Sequence, residues 1–193
     1  MLEEGFVCGA LCGGGNVTWS EKFGNYCISI KSKNKEFIDM FFLSLSNITS
    51  KPKKYSLGDT YIVCLYGKEE VGNFLEKWKN RFGVYKWSVP KIAYKDPTFR
   101  RGFLCGFFEA GSRIRVRFRG KVKIRSIRTV SINLNGLKEV KNLLLKEGID
   151  PLIYRTGKYW CLEIEGKRRT SMFYRKIGYV TKRKRKMLRE AIR

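Results

Sequence analysis

The chain has 193 residues, 41 Lys or Arg against 17 Asp or Glu, a net charge of +24 and no histidine. A sequence this basic is suited to a polyanionic partner, and the lack of histidine excludes a Ser-His-Asp triad, a His-ligated zinc and a histidine general base. It has no leader peptide and no apolar run long enough to span a bilayer, so a cytoplasmic protein without a membrane partner is expected.

Glu3 and Glu4 open a first helix, whose apolar residues run to Leu11 within FVCGALCGGGNV (6–17). Period-two alternation then predicts a hairpin over 16–32, followed by a helix over 35–46, strands over 52–66 and a helix over 67–81. Residues 83–95 read as a linker. Asp96 and Pro97 form an N-cap and first-turn pair for a helix that ends near Gly111. SRIRVRFRG (112–120) puts Arg113, Arg115, Arg117 and Arg119 on one strand face and Ile114, Val116 and Phe118 on the other. GKVKIRS turns back with Lys121, Lys123 and Arg125 opposite Val122 and Ile124, and residues 112–133 hold no acid to neutralise these cations. A helix over 136–147, a hairpin turning at Thr156-Gly157, a helix over 168–177 and a basic tail helix complete the chain.

The elements repeat. FLCGFFEAGSRI (103–114) restates FVCGALCGGGNV 97 residues later, VSINLNGLKEVKNLL (130–144) restates ISIKSKNKEFIDMF (28–41), and EGKRRTSMFYRKI (165–177) restates YGKEEVGNFLEKW (66–78). A shared order and period mark a duplicated unit, divided as 1–95 and 96–193. The expected fold class is α+β: duplicated αββαββα units about a pseudo-twofold axis, with two antiparallel four-stranded sheets. Gly9 and Gly13, and Gly102 and Gly106 with Ala110, recur at four-residue spacing. Such flat helix stripes let two backbones approach closely, so the two repeated helices should pack on each other.

Glutamine is absent as well as histidine, and charges are many, a composition expected of a thermophile. Six cysteines lie scattered without a CxxC pair; they read as small buried thiols, with a disulfide left open.

In these features the chain resembles the LAGLIDADG homing endonucleases, in the archaeal intron-encoded, single-chain form with two motif copies. VCGALCGGG (7–15) follows the nine-residue motif at its small and apolar positions, and LCGFFEAGS (104–112) follows it more closely. The resemblance implies a monomer with internal pseudo-twofold symmetry, its sheets forming a saddle over a long duplex DNA site. It implies Mg²⁺ or Mn²⁺ held by an acid at the eighth motif position of each helix, with backbone carbonyls from the position before, here Gly13 and Ala110. The eighth positions in this chain are Gly14 and Gly111, so both metal-binding acids are missing. Glu109 and Cys12 stand two residues earlier, about 200° around the helix, and cannot replace them. Engineered inactivation, natural decay and a change of task each account for the glycines, and the acid-to-glycine change is expected to alter folding little.

The resemblance also implies a lysine that organises active-site water, Lys33 in SKNKEF, with Leu134 as its counterpart and Lys123 or Arg125 as possible substitutes. The DNA-contact residues expected on the strands are Ser29, Lys31, Arg113, Arg115, Arg117, Arg119, Lys121, Lys123 and Arg125. The expected function is a site-specific DNA endonuclease disabled at its catalytic positions. An intron-RNA-binding maturase and a basic structural protein without sequence preference are the alternatives.

Overall fold

The structure is a computed structural model describing residues 1–20, 25–78, 82 and 86–193. The tip of the first hairpin, the last residues of the helix expected over 67–81 and the start of the expected linker lie outside these residues. Helices α1 (Leu2–Gly14) and α5 (Pro97–Gly111) each open one half. In the first half α1 is followed by β1 (Gly15–Ser20), β2 (Asn25–Ser32), α2 (Lys35–Ser46), β3 (Lys53–Leu57), β4 (Thr60–Tyr66) and α3 (Lys68–Trp78). A short helix α4 (Ile92–Lys95) precedes α5, and the second half continues through β5 (Ser112–Arg119), β6 (Val122–Ser131), α6 (Leu134–Lys146), β7 (Leu152–Thr156), β8 (Tyr159–Glu165), α7 (Lys167–Lys176) and α8 (Lys182–Ile192).

The helix starts follow local chemistry. The Asp96 side chain accepts from Phe99 N at 2.7 Å with Pro97 in the first turn. Asn34 and Asn133 cap α2 and α6 in the same way, accepting from Phe37 N at 3.2 Å and Gly136 N at 3.0 Å. Gly157 takes φ +60 in the turn between β7 and β8, a conformation that other residues adopt at a cost.

Each half forms one antiparallel sheet, ordered β1-β2-β4-β3 in the first and β5-β6-β8-β7 in the second. The identical orders give the duplicated α+β saddle. One face of each sheet is apolar, with Ile28, Ile30, Val63 and Leu65 in the first and Ile127, Leu162 and Ile164 in the second, all buried against the helices. An aromatic chain joins the central helix to the end of the molecule: Phe103, Phe107, Phe108, Phe173 and Tyr179 follow one another at ring separations of 5.0 to 6.3 Å.

From residue 86 on, the expected linker is not a solvated tether. Trp87 and Val89 are buried; Val89 N donates to Glu139 Oε2 at 2.7 Å, and Asn133 Nδ2 donates to the Trp87 carbonyl at 2.6 Å. The segment carries apolar side chains that the core takes up. All six cysteines are free thiols, five buried and Cys27 half-buried.

One ion pair ties α5 to the end of α6. Glu147, 2 % exposed, accepts from Arg100 Nε at 2.7 Å and Arg101 Nε at 3.0 Å, and Arg100 is itself 8 % exposed. Burial alone would raise the Glu147 carboxyl, but the hydrogen bonds from Arg100 and Arg101 hold it below the ordinary value of 4.5. Glu147→Gln leaves a buried guanidinium without its counter-ion, a change that costs about 3 kcal/mol. Because the carboxyl is lowered in the folded state, its contribution is complete above the unfolded value and is lost as pH falls through the folded one. Urea unfolding should therefore show the variant clearly weaker at pH 7 and the gap closing in strong acid.

Candidate nucleic-acid interface and the motif-helix centre

The two motif helices meet through bare backbone. Gly5, Gly9 and Gly13 of α1 face the carbonyls of Phe99, Phe103 and Phe107, and Gly102 and Gly106 of α5 face those of Leu2 and Phe6. A Cβ added at Gly13 would lie 2.5 Å from the Phe107 oxygen and 3.2 Å from Ala110 Cβ. The four-residue stripes therefore bring together Gly9, Gly13, Gly102, Gly106 and Ala110 along one seam.

Both helices end at the foot of the saddle, in Gly14 and Gly111, and the chain runs directly into β1 and β5. The two ends are not equivalent. A Cβ at Gly14 would sit 3.5 Å from Ala110 Cβ, an ordinary contact. At Gly111 it would lie 2.6 Å from the Gly13 carbonyl oxygen and 3.4 Å from Thr129 Oγ1. The expectation that acid and glycine are interchangeable for folding fits position 14 and fails at 111, where the helices are closer. Gly15 caps α1 at φ −84 and ψ 170, extended backbone open to any residue, but a Cβ there would lie 2.7 Å from Leu11 Cα, so close approach rather than conformation asks for glycine.

A hollow of about 490 Å³ opens beside the ends, lined in part by Cys12, Gly14, Thr129, Ile132, Lys158 and Tyr159. Lys33 does not line this hollow and pairs with Asp59 at 2.6 Å, both side chains being exposed. The equivalence of the halves is fixed by their caps: Asn34 N bonds to Ser32 Oγ and Asn133 N to Ser131 Oγ, each at 3.1 Å. The counterpart of Lys33 is therefore Ile132, not Leu134. In the following turns Gly58-Asp59 matches Gly157-Lys158. The Lys33–Asp59 pair of the first half thus becomes Ile132 and Lys158 in the second, and Lys158 is the cation that lines this hollow.

The donor set at this centre does not fit a divalent metal. Gly14 and Gly111 offer no carboxylate, and carbonyls such as those of Gly13 and Ala110 do not by themselves neutralise such an ion. Among the described residues no three His, Cys, Asp or Glu side chains converge on one point.

The outer face of the second sheet carries Arg113, Arg115, Arg117 and Arg119, all exposed. The hairpin closes on the two residues Gly120 and Lys121, so odd positions of β5 pair with even positions of β6: Arg113 with Arg128, Arg115 with Ser126, Arg117 with Ile124 and Arg119 with Val122. Lys123 and Arg125, expected on the arginine face, are on the opposite one. Lys123 Nζ donates to the Glu190 carbonyl of α8 at 3.1 Å, and Arg125 is buried. Lys121 lies in the turn. Arg128 takes their place on the outer face, where Nε donates to Cys161 Sγ at 2.7 Å and the guanidinium lies 5.6 Å from the Tyr154 ring centre. Acids also reach this face from β8. Glu165 meets Arg117 at 3.5 Å, and Glu163, opposite Arg128, accepts from the Tyr154 hydroxyl. On the first sheet the corresponding face holds Asn16, Thr18, Ser29, Lys31 and Lys53 beside Tyr55 and Tyr66, so Ser29 and Lys31 share it.

Glu109 turns away from the helix ends. Its carboxylate accepts from Val180 N at 2.8 Å, Thr181 N at 3.3 Å and Thr181 Oγ1 at 2.8 Å, at the start of α8. In return Lys184 of α8 donates to the carbonyls of Phe108 at 3.1 Å, Glu109 at 2.6 Å and Ser112 at 3.0 Å, satisfying the open carbonyls of the α5 terminus. Burial lowers the Lys184 ammonium to about 8, with the Glu109 carboxylate opposing. Sequence reasoning gave Lys184 no task because it sits inside a run of solvated cations; its four-residue spacing to buried Leu188 was the available signal.

With this geometry in place, residues 98–178 match the family model described as a LAGLIDADG-like domain. The chain has the LAGLIDADG fold. The LAGLIDADG fold of I-DmoI, in its complex with DNA and Mn, matches 92% of this chain and 96% of that one at a TM-score of 0.66 and 13% identity. I-WcaI bound to its DNA recognition sequence matches over 97% and 85% at 0.66 and 14% identity. The N-terminal LAGLIDADG domain of DUF199/WhiA matches over 99% and 88% at 0.63 and 15% identity. At these identities the likeness is one of fold. Among curated proteins, a probable translation initiation factor IF-2 of Thermococcus kodakarensis is 33% identical over 106 residues, 54% of this chain and 9% of that one. The chain thus spans under a tenth of that relative's length. No described helix is long and apolar enough to cross a membrane.

Proposed function

We propose that the chain binds a long duplex DNA site selectively in its saddle and, with glycine at both motif-helix ends, does not cut it. The observation that carries this reading is the outer face of β5: four exposed arginines at alternate positions, joined by Arg128, on a sheet surface backed by helices only from behind. Strands presented to a major groove bring such side chains to base edges, and arginine matches the O6 and N7 of guanine. Residues 1–95 and 96–193 would each read one half of the site. The fold supports this assignment, since solved relatives are described in complex with DNA.

Selection from a pool of randomised duplexes at moderate salt, followed by incubation with Mg²⁺, tests the proposal. A recovered consensus bound at least 100-fold tighter than unrelated duplex, and left intact, is the expected result. Equal affinity for all duplexes would make the chain a basic structural protein, and tighter binding of folded intron RNA would favour a maturase. Cutting by the unaltered chain would overturn the assignment of the glycines.

The helix ends supply a second check. Gly14→Asp should fold as the parent does, whereas Gly111→Asp must displace the Gly13 carbonyl and lose about 1–3 kcal/mol. The protein with both changes should cut the selected site in Mg²⁺, with a lowered melting temperature traced to position 111. A double variant that binds the site yet never cuts it would remove the nuclease ancestry from the argument.

A further inference from the structure

The saddle leaves much of the charge unused. Residues 167–193 hold twelve Lys or Arg and one acid, Glu190, and so carry +11 of the chain's +24. They form α7 and α8, which pack on the side of the second sheet away from Arg113–Arg119. Phe173 of α7 lies against Phe108, Ser112 Oγ and the Tyr179 hydroxyl are 2.7 Å apart, and Lys123, on that inner face of β6, reaches the carbonyl of Glu190. Side chains on the free sides of these helices cannot touch a duplex seated against the outer face of the same sheet.

Three cations of this segment donate to backbone carbonyls: Lys184 at the end of α5, Lys176 on Glu147 at 2.7 Å and, from an exposed position, Arg169 on Glu165 at 3.4 Å. Arg168, Arg169, Arg175, Arg183, Lys186 and Arg189 are exposed. Among the described residues no carboxylate forms a side-chain ion pair with a Lys or Arg of α7 or α8, the Glu36 carboxylate meeting only the backbone amide of Lys182 at 2.9 Å. Along α8 the cations recur at three-residue steps, Arg183, Lys186 and Arg189, a row with about 4.5 Å of rise between members. Like charges at this density repel, at a cost to the folded state. Their arrangement suits a partner with closely spaced negative charges and no requirement for base-edge contacts.

We propose that α7 and α8 form a second nucleic-acid surface, which holds the phosphate backbone of a separate nucleic-acid segment without reading its sequence while the saddle is occupied. A membrane surface fits less well. Leu188 and Ala191, the apolar residues that an interfacial helix would insert, are buried in the core, which leaves Met187 as the one exposed large apolar side chain of α8, too little for an inserting face. This surface goes beyond the saddle reading, on which simultaneous binding of two segments rests.

A sandwich experiment on the full chain tests the proposal. The protein is captured on an immobilised duplex carrying its selected site, and a labelled duplex of about 30 bp and unrelated sequence is then offered at low salt. The parent should retain the second duplex. A helix variant with Arg168, Arg169, Arg175, Arg183, Lys186 and Arg189 all changed to Gln should bind the first duplex as the parent does and lose the second at least tenfold. Its salt slope for unrelated duplex should fall by about 3 or more. A saddle variant with Arg113→Gln, Arg115→Gln and Arg117→Gln should lose the selected site yet still bind unrelated duplex. Unchanged melting temperatures of both variants establish that they are folded, and changing only Arg183, Lys186 and Arg189 serves if the sixfold variant is not. Retention of the second duplex by the folded helix variant overturns the proposal, as does its absence in the parent. Stronger binding of phosphatidylserine vesicles than of duplex would also overturn it, in favour of a lipid partner. If the saddle variant keeps the selected site while the helix variant loses both duplexes, the saddle reading falls and the second surface stands.

Discussion

Gly9→Ala is expected to cost the fold about 3 kcal/mol or more, at the upper end of small-to-large core changes. An added methyl at this position would overlap the Phe103 carbonyl, and at Gly106 the Phe6 carbonyl. Neither obstacle is a side chain that can rotate away, so relief requires the helices to separate and their flanking aromatics to repack. On propensity alone the change should help, since alanine is favoured over glycine by about 1 kcal/mol inside a helix. Gly72 provides the control. It is exposed within α3, with nothing within 4 Å of an added Cβ. Gly72→Ala should therefore raise stability by about 0.5–1 kcal/mol. Denaturant unfolding of the two variants should move in opposite directions. Equal effects would mean that the glycines of α1 owe nothing to close helix approach.

The change with the largest expected effect on binding is Arg113→Gln with Arg115→Gln and Arg117→Gln. Each exposed guanidinium lost removes about one released counterion and, where it meets guanine, about 1–3 kcal/mol of base discrimination. Affinity for the selected duplex should fall by about a thousandfold at moderate salt, and the slope of log K against log salt should shrink by about 2.7. Lys31→Gln with Lys53→Gln on the first sheet should cost far less, because that face is mostly uncharged. The halves would then contribute unequally, with most of the affinity coming from the second. Titration of labelled duplexes over a range of salt measures both quantities, and equal losses from the two faces would contradict the asymmetry.

Much of the fold could be read in the sequence because local signals agreed with the duplication. Asp96-Pro97 begins its helix where expected and α2 starts at the expected residue 35, while α6 starts at Leu134, two residues ahead of the expected 136, because Asn133 caps it; the repeated order of motifs anticipated the repeated sheet order. The sidedness of β6 was harder. Both of its parities mix apolar and charged residues, Val122, Ile124 and Arg128 on one and Lys123, Arg125 and Ile127 on the other, so periodicity alone does not choose between them. The choice is made by a turn of two residues, which exchanges odd for even across the hairpin. Trp87 and Val89 looked like a connection because they lie between repeats, yet their burial depends on α6, far along the chain. Lys158 was invisible for a similar reason. It reaches the motif-helix ends only after a later hairpin folds back, and nothing near it in sequence marks that destination.

The seam of glycines also sets a sequence of events during synthesis. Helix α1 leaves the ribosome well before its partner, for the backbone it packs against belongs to residues 99–107, made some ninety positions later. Contacts of such separation form slowly and late. Until then the glycine flank of α1 has no backbone to pack against, so a nascent chain that stops before residue 97 should be held by a chaperone or degraded rather than accumulate as a stable half.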